Sequence, residues 1–189
     1  MSTKPVKVDP RIRRTRQMLT DAFRELLKET AFDQIGVNDI VKRSTLNRAT
    51  FYDHFPDKFA LLASMMQDRF KALIDARVKM KEPGDECEHA LKQIVLATCE
   101  FVSETSSGCQ KHQQQFEPMV EAQVKTVIQE ILNEGLRAHN VRNAELKATM
   151  FSWAVAGAAF QWNRERKISA NALAKELLPL LMATLHPPG

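Results

Sequence analysis

The chain has 189 residues, 44% of them apolar, with only six glycines and eight prolines, so a sizeable core is expected and long stretches carry no turn signal. The longest apolar-rich stretch, Met150 to Trp162, is interrupted by Ser152 and Gln161 and is too short to span a bilayer. Three cysteines (Cys87, Cys99 and Cys109) do not make a disulfide framework in a chain of this size and suit a reducing compartment.

The net charge of +4 is unevenly placed. Residues 1–58 hold 12 Lys/Arg against 8 Asp/Glu, and the remainder holds 15 of each. A polyanion partner for the N-terminal third is one reading, and a solvated basic tail is the other. No apolar run follows the basic start, so no signal peptide is expected. The expected location is the cytoplasm, with no membrane partner.

In chain order, residues 1–10 show no apolar period and read as a flexible basic arm. From Arg11 to Glu29, Met18, Leu19, Ala22, Phe23, Leu26 and Leu27 fall on one helical face. Residues 30–36 read as a connector. A second helix is expected over 37–44, burying Val37, Ile40 and Val41. Thr45-Leu46 makes a turn, with Leu46 as an apolar plug between helices. Asn47 is a suitable N-cap for a third helix, because its side-chain oxygen can accept a backbone N–H of the first turn. Phe51 and Phe55 lie on one face of that helix, and Pro56 stops it. Two helices this short, side by side, make a helix-turn-helix, whose second helix enters the DNA major groove.

Asp57 can cap a long helix over 58–79, with Leu61, Leu62, Met65, Met66, Phe70, Leu73 and Ile74 inward. Glu82-Pro83-Gly84-Asp85 is the clearest break. Helical patterns then recur over 86–105, 117–139, 143–165 and 169–186, with no internal repeat. The expected fold is all-α. It comprises an arm (1–10), a three-helix DNA-binding domain with the helix-turn-helix (11–56) and a C-terminal helical regulatory and dimerisation domain (57–189).

These residues resemble the tetracycline-repressor (TetR) family of bacterial transcription regulators. The elements that carry the resemblance are Ile40 in the Asp-Ile-Val core of the second helix, the Thr50-Phe51-Tyr52-Asp53-His54-Phe55 stretch, and Asp57-Lys58-Phe59-Ala60-Leu61-Leu62 opening the next helix. The specific match covers about residues 11–66, and beyond it only the helical architecture is shared. Gly36, Thr45 and Ala49 depart from the pattern, standing where the family often has a Thr or Ser cap, a turn Gly and a second Gly.

Among the candidate DNA contacts, Arg48 at the start of the recognition helix can fork onto guanine O6 and N7, or hold a phosphate. Lys58 opens a helix where backbone N–H groups also face an anion. By resemblance, Tyr52 touches a phosphate or a thymine methyl, and His54 touches a phosphate. Asn38, Asn47 and Thr50 complete the set, while Arg13, Arg14, Arg16 and Arg43 supply non-specific charge.

In the C-terminal domain Cys99, Phe101, His112, Phe116, Met119, Met150 and Trp153 could line an effector cavity, or could be plain core. Ala154, Gly157, Ala158 and Gln161 on one helix, with Leu173, Leu177, Leu180 and Leu181 on the last, are candidates for a homodimer interface, or pack within one chain. Cys109 and His112 alone are too few for a metal site, and no catalytic motif is present, so neither cofactor nor enzymatic activity is expected. What the resemblance implies is a cytoplasmic, nucleoid-associated, homodimeric repressor that binds a palindromic double-stranded operator and responds to a small apolar effector. An activator or a ligand-independent regulator of the same fold, or a helical small-molecule enzyme, are the alternatives.

Overall fold

The computed structural model describes residues 9–79, 86–108 and 113–185, without the side chains of 107–108 and 113–115. Among the described residues there are eight α-helices and no strand: α1 (Pro10–Glu29), α2 (Val37–Ser44), α3 (Arg48–His54), α4 (Lys58–Val78), α5 (Glu86–Gly108), α6 (Gln113–Ala138), α7 (Ala144–Glu165) and α8 (Ala170–Leu185). A 3-10 turn, Phe32–Gln34, lies between α1 and α2. None of the described helices is long and apolar enough to cross a membrane. The chain divides into two compact units, Met1–Met65 and Met66–Gly189.

Local chemistry explains the first unit. Asp9 caps α1, its Oδ1 accepting from Arg11 N at 2.8 Å, and Pro10 occupies the first helical position, where its missing N–H costs nothing. Residue 10 therefore belongs to the helix, and the rest of the expected arm, up to residue 8, lies outside the described residues. Leu19, Ala22, Phe23 and Leu26 of α1 are buried together with Ile40, Phe51, Phe55 and Leu61. The Gly36 N–H donates to Asp39 Oδ2 at 2.8 Å, one half of a capping box, while Gly36 has no side-chain acceptor to offer the first turn of α2. Asp57 Oδ1 accepts from Ala60 N at 2.8 Å and starts α4. The unit runs past residue 56 because the first two turns of α4 bury Leu61 and Leu62 and carry Ser64, which is tied to α1.

In the second unit one apolar core joins α5, α6, α7, α8 and the later turns of α4. Phe70 and Phe101 stack at 4.8 Å. Small residues along the buried face of α7 (Ala148, Ser152, Val155, Ala156 and Ala159) let its neighbours approach closely.

Thr45 closes α2 in the left-handed region at φ 57°, its N–H bonded to the Lys42 and Val41 carbonyls, while Leu46 N–H reaches Val41 O at 3.1 Å. A β-branched residue there costs roughly 1–2 kcal/mol in steric strain. Glycine avoids this cost, although it gains freedom in the unfolded chain. Thr45→Gly should therefore stabilise the first unit by about 0.5–1 kcal/mol, visible as a midpoint about 2 °C higher in calorimetry. An unchanged or lower midpoint would mean that the strain at Thr45 does not exceed the freedom glycine gains in the unfolded chain.

Candidate nucleic-acid interface

α3 is held from below by Phe51 and Phe55, which are 0% and 2% exposed. Asn47 caps it as its chemistry predicts, Oδ1 accepting from Thr50 N at 2.7 Å. With those two phenylalanines inward, Arg48 and Tyr52, one turn apart, face out, and Tyr52 is 45% exposed. The Tyr52 ring meets Phe51 edge-on at 5.5 Å. The Arg48 guanidinium lies 5.5 Å from the Tyr52 ring centre. Its Nη2 donates to Tyr52 Oη at 3.1 Å, and Nη1 donates to Asn38 Oδ1 at 3.4 Å. The structure thus brings Asn38, Arg48 and Tyr52 into one exposed polar cluster. Asn47 is exposed beside it, and Thr50 and His54 are half-buried.

Two of the cations expected to face DNA, Lys58 and Arg16, are instead engaged with main-chain carbonyls. Lys58 Nζ donates to the carbonyls of Phe32 at 2.8 Å, Asp33 at 3.2 Å and Ile35 at 2.7 Å, and sits 4.5 Å from the Phe32 ring centre. An ammonium has three donors, and all three are occupied. Its side chain pins the start of α4 to the 3-10 turn. The carbonyls exposed by the short turn are what draw it in, and sequence reading had no means to locate them.

Arg16 is likewise internal. Its guanidinium bonds His54 O at 3.3 Å and Ser64 Oγ at 3.0 Å, and stacks 4.3 Å from the Phe55 ring centre. It satisfies a carbonyl at the C-terminal end of α3, where a cation also complements the helix dipole. Arg43 reaches Glu29 at 2.7 Å and Glu25 at 3.4 Å across α1 and α2. Hydrogen bonding to Arg43 holds the Glu29 carboxyl below its ordinary value of 4.5. The contribution of this pair is therefore present above that value and lost as pH falls through the lowered one. Arg11, Arg13, Arg14 and Lys42 remain exposed.

Residues 19–65 match the family model described as bacterial regulatory proteins, tetR family. Over that stretch of its N-terminal unit the chain is similar to the TetR family. It is 35% identical over 99 residues to the uncharacterized HTH-type transcriptional regulator YxbF of Bacillus subtilis, a match covering 50% of this chain and 26% of that protein. It is 33% identical over 61 residues to the HTH-type dhaKLM operon transcriptional activator DhaS of Lactococcus lactis, covering 32% of this chain and 33% of that one. The matched stretch thus spans about a quarter to a third of the length of these curated relatives. In fold it is similar to Thermus thermophilus FadR, a TetR-family transcriptional repressor solved in complex with lauroyl-CoA. The TM-score is 0.56 and the identity 18%, over 92% of this chain and 99% of that one.

In the second unit the residues expected to line an effector cavity separate into two groups. Cys99, Phe101 and Phe116 are buried and Met119 half-buried. Burial pushes the Cys99 thiol up to about 11, so it stays protonated and unreactive at neutral pH. Met150 and Trp153 do not join them, because they are 44% and 62% exposed. The buried face of α7 belongs to Ala148, Phe151, Ser152 and Val155, which leaves Met150 and Trp153 on the opposite arc. His112 lies outside the described residues.

Of the expected interface residues, Ala154, Gly157 and Gln161 are exposed, Ala158, Leu173 and Leu177 are half-buried, and Leu181 is buried in its own unit's core at 4%. Leu180, also expected at the interface, faces outward at 68%, and so does Leu146 at 69%, which the sequence pattern did not single out because nothing local says which arc of α7 is covered. Among the described residues no group of three His, Cys, Asp or Glu side chains could hold a metal ion.

Lys58→Met separates the two roles of that side chain. The clamp expects a loss of stability of about 2 kcal/mol or more, from charged hydrogen bonds broken to buried carbonyls. It also expects an unchanged slope of log K against log salt for DNA. Intact stability with the slope reduced by about one would make Lys58 a phosphate contact.

Proposed function

We propose that this chain is a sequence-specific DNA-binding transcriptional regulator that works as a homodimer. The carrying observation is the exposed Asn38–Arg48–Tyr52 cluster on a helix-turn-helix whose phenylalanines are buried. Arg48 reads a base, while Asn47, Thr50 and His54 lie around it as contacts to the backbone or to neighbouring bases. The exposed arginines at the start of α1 add charge for the phosphates.

The second copy covers the outer arc of α7. Leu146, Met150, Trp153, Gly157 and Gln161 recur along it at helical spacing and are exposed, with Leu180 of α8 also outward. A Trp near the middle of such a stripe suits an interface anchor. It is held by Lys125, whose Nζ is 3.9 Å from the ring centre. Two copies related by a two-fold axis read the two halves of a palindrome.

The effector is a small, mostly apolar molecule bound in the second unit, a reading supported by the lauroyl-CoA complex of FadR. It acts only through its different affinity for two arrangements of the protein. Repression is the reading adopted, and the activator DhaS among the relatives keeps activation as the second. The site of action is the bacterial nucleoid, and no catalytic step is assigned.

Selection of bound DNA from a random pool tests the central claim. Two inverted half-sites about one helical turn or a multiple apart are expected, with affinity falling steeply as salt rises. Absence of any enriched motif would overturn it. Trp153→Glu should convert a dimer to a monomer in analytical ultracentrifugation, and a dimer unchanged by that substitution would place the interface elsewhere.

A further inference from the structure

We propose that Asn38 and Tyr52 set base preference indirectly, as positioning residues that brace the Arg48 guanidinium from two sides; this rests on the reading of α3 as a base-reading helix. An exposed arginine ordinarily samples many rotamers, and ordering it on DNA costs conformational entropy. Here its two terminal nitrogens are already tied to different elements. Nη1 bonds Asn38 Oδ1 of α2 at 3.4 Å, and Nη2 bonds Tyr52 Oη one turn further along α3 at 3.1 Å. The Tyr52 ring lies 5.5 Å from the guanidinium carbon and adds a cation–π contact. The ring is itself fixed edge-on to the fully buried Phe51, so the brace is anchored in the core.

A guanidinium has five N–H donors, and these two bonds use two of them. Enough remain for a fork onto guanine O6 and N7. Tyr52 accepts from Arg48, which leaves its own proton for a phosphate oxygen. The bond to Tyr52 is the shorter of the two, so the hydroxyl is the stronger brace.

The test applies the random-pool selection to the full chain carrying Arg48→Ala, Asn38→Ala, Asn38→Asp or Tyr52→Phe, and to each brace variant combined with Arg48→Ala. The readout is the ratio between best and other bases at every operator position. Arg48→Ala should flatten one position by about 5-fold to 150-fold. Tyr52→Phe and Asn38→Ala should flatten that same position by about 3-fold to 10-fold, Tyr52→Phe by more, and neither should change it further once Arg48 is gone. Asn38→Asp keeps an oxygen for Arg48, so it should retain the preference even as its added negative charge weakens binding to every sequence. A purely structural role would lower affinity for all sequences and leave these ratios alone.

The brace is overturned if Asn38→Ala or Tyr52→Phe flattens a different position, adds to Arg48→Ala, or changes no ratio. It is also overturned if Arg48→Ala leaves every position as sharp as before, because Arg48 then reads no base. Failure of the unaltered protein to enrich any motif removes the parent reading and this inference together, a result distinct from all of these.

Discussion

A helix of seven residues cannot maintain itself. Isolated helices below roughly 12–15 residues are marginal in water, so the position of α3 has to come from what it packs on. Phe51 and Phe55 supply that, both essentially without solvent exposure, while Asn47 closes the N-terminal end and Arg16 binds a carbonyl at the other. With the apolar face locked down, Arg48 and Tyr52 have one direction left to point. Every functional statement about the first unit depends on that burial.

The charge excess of the N-terminal third has two uses. Part of it is engaged within the protein: Arg16 and Lys58 bond main-chain carbonyls, and the exposed Arg43 bonds two carboxylates of α1. Short helices and turns leave many carbonyls without helical partners, and cationic side chains satisfy them well. The other part, on the first turns of α1 and on α2, faces solvent. Net charge still contributes to the field around the protein, but it overstates how many cations can touch a phosphate.

The second unit follows a different logic. α7 is covered on one arc by its own core and carries large apolar side chains on the other. Singly exposed apolar residues are normal, whereas a stripe at helical spacing is the feature on which the proposed homodimer rests. Small residues between the large ones permit close approach of another helix. The sequence pointed to Gly157 and Gln161 on this arc but not to Leu146, and it grouped Met150 and Trp153 with a cavity, because the apolar middle of α7 does not say which side the core takes.

The sequence by itself determined the all-helical class, the succession of short helices near the N-terminus and the caps at Asn47 and Asp57. These are local matters, decided by side-chain spacing and by hydrogen bonds spanning three or four residues. Only the tertiary structure decided that Lys58 and Arg16 face inward, that Met150 and Trp153 face outward, and that Leu180 rather than Leu181 is exposed. Each of those depends on groups far away in the chain. A long side chain goes where distant carbonyls or rings offer the best partners, and a helix buries whichever arc its neighbours cover, neither of which is written in the nearby residues.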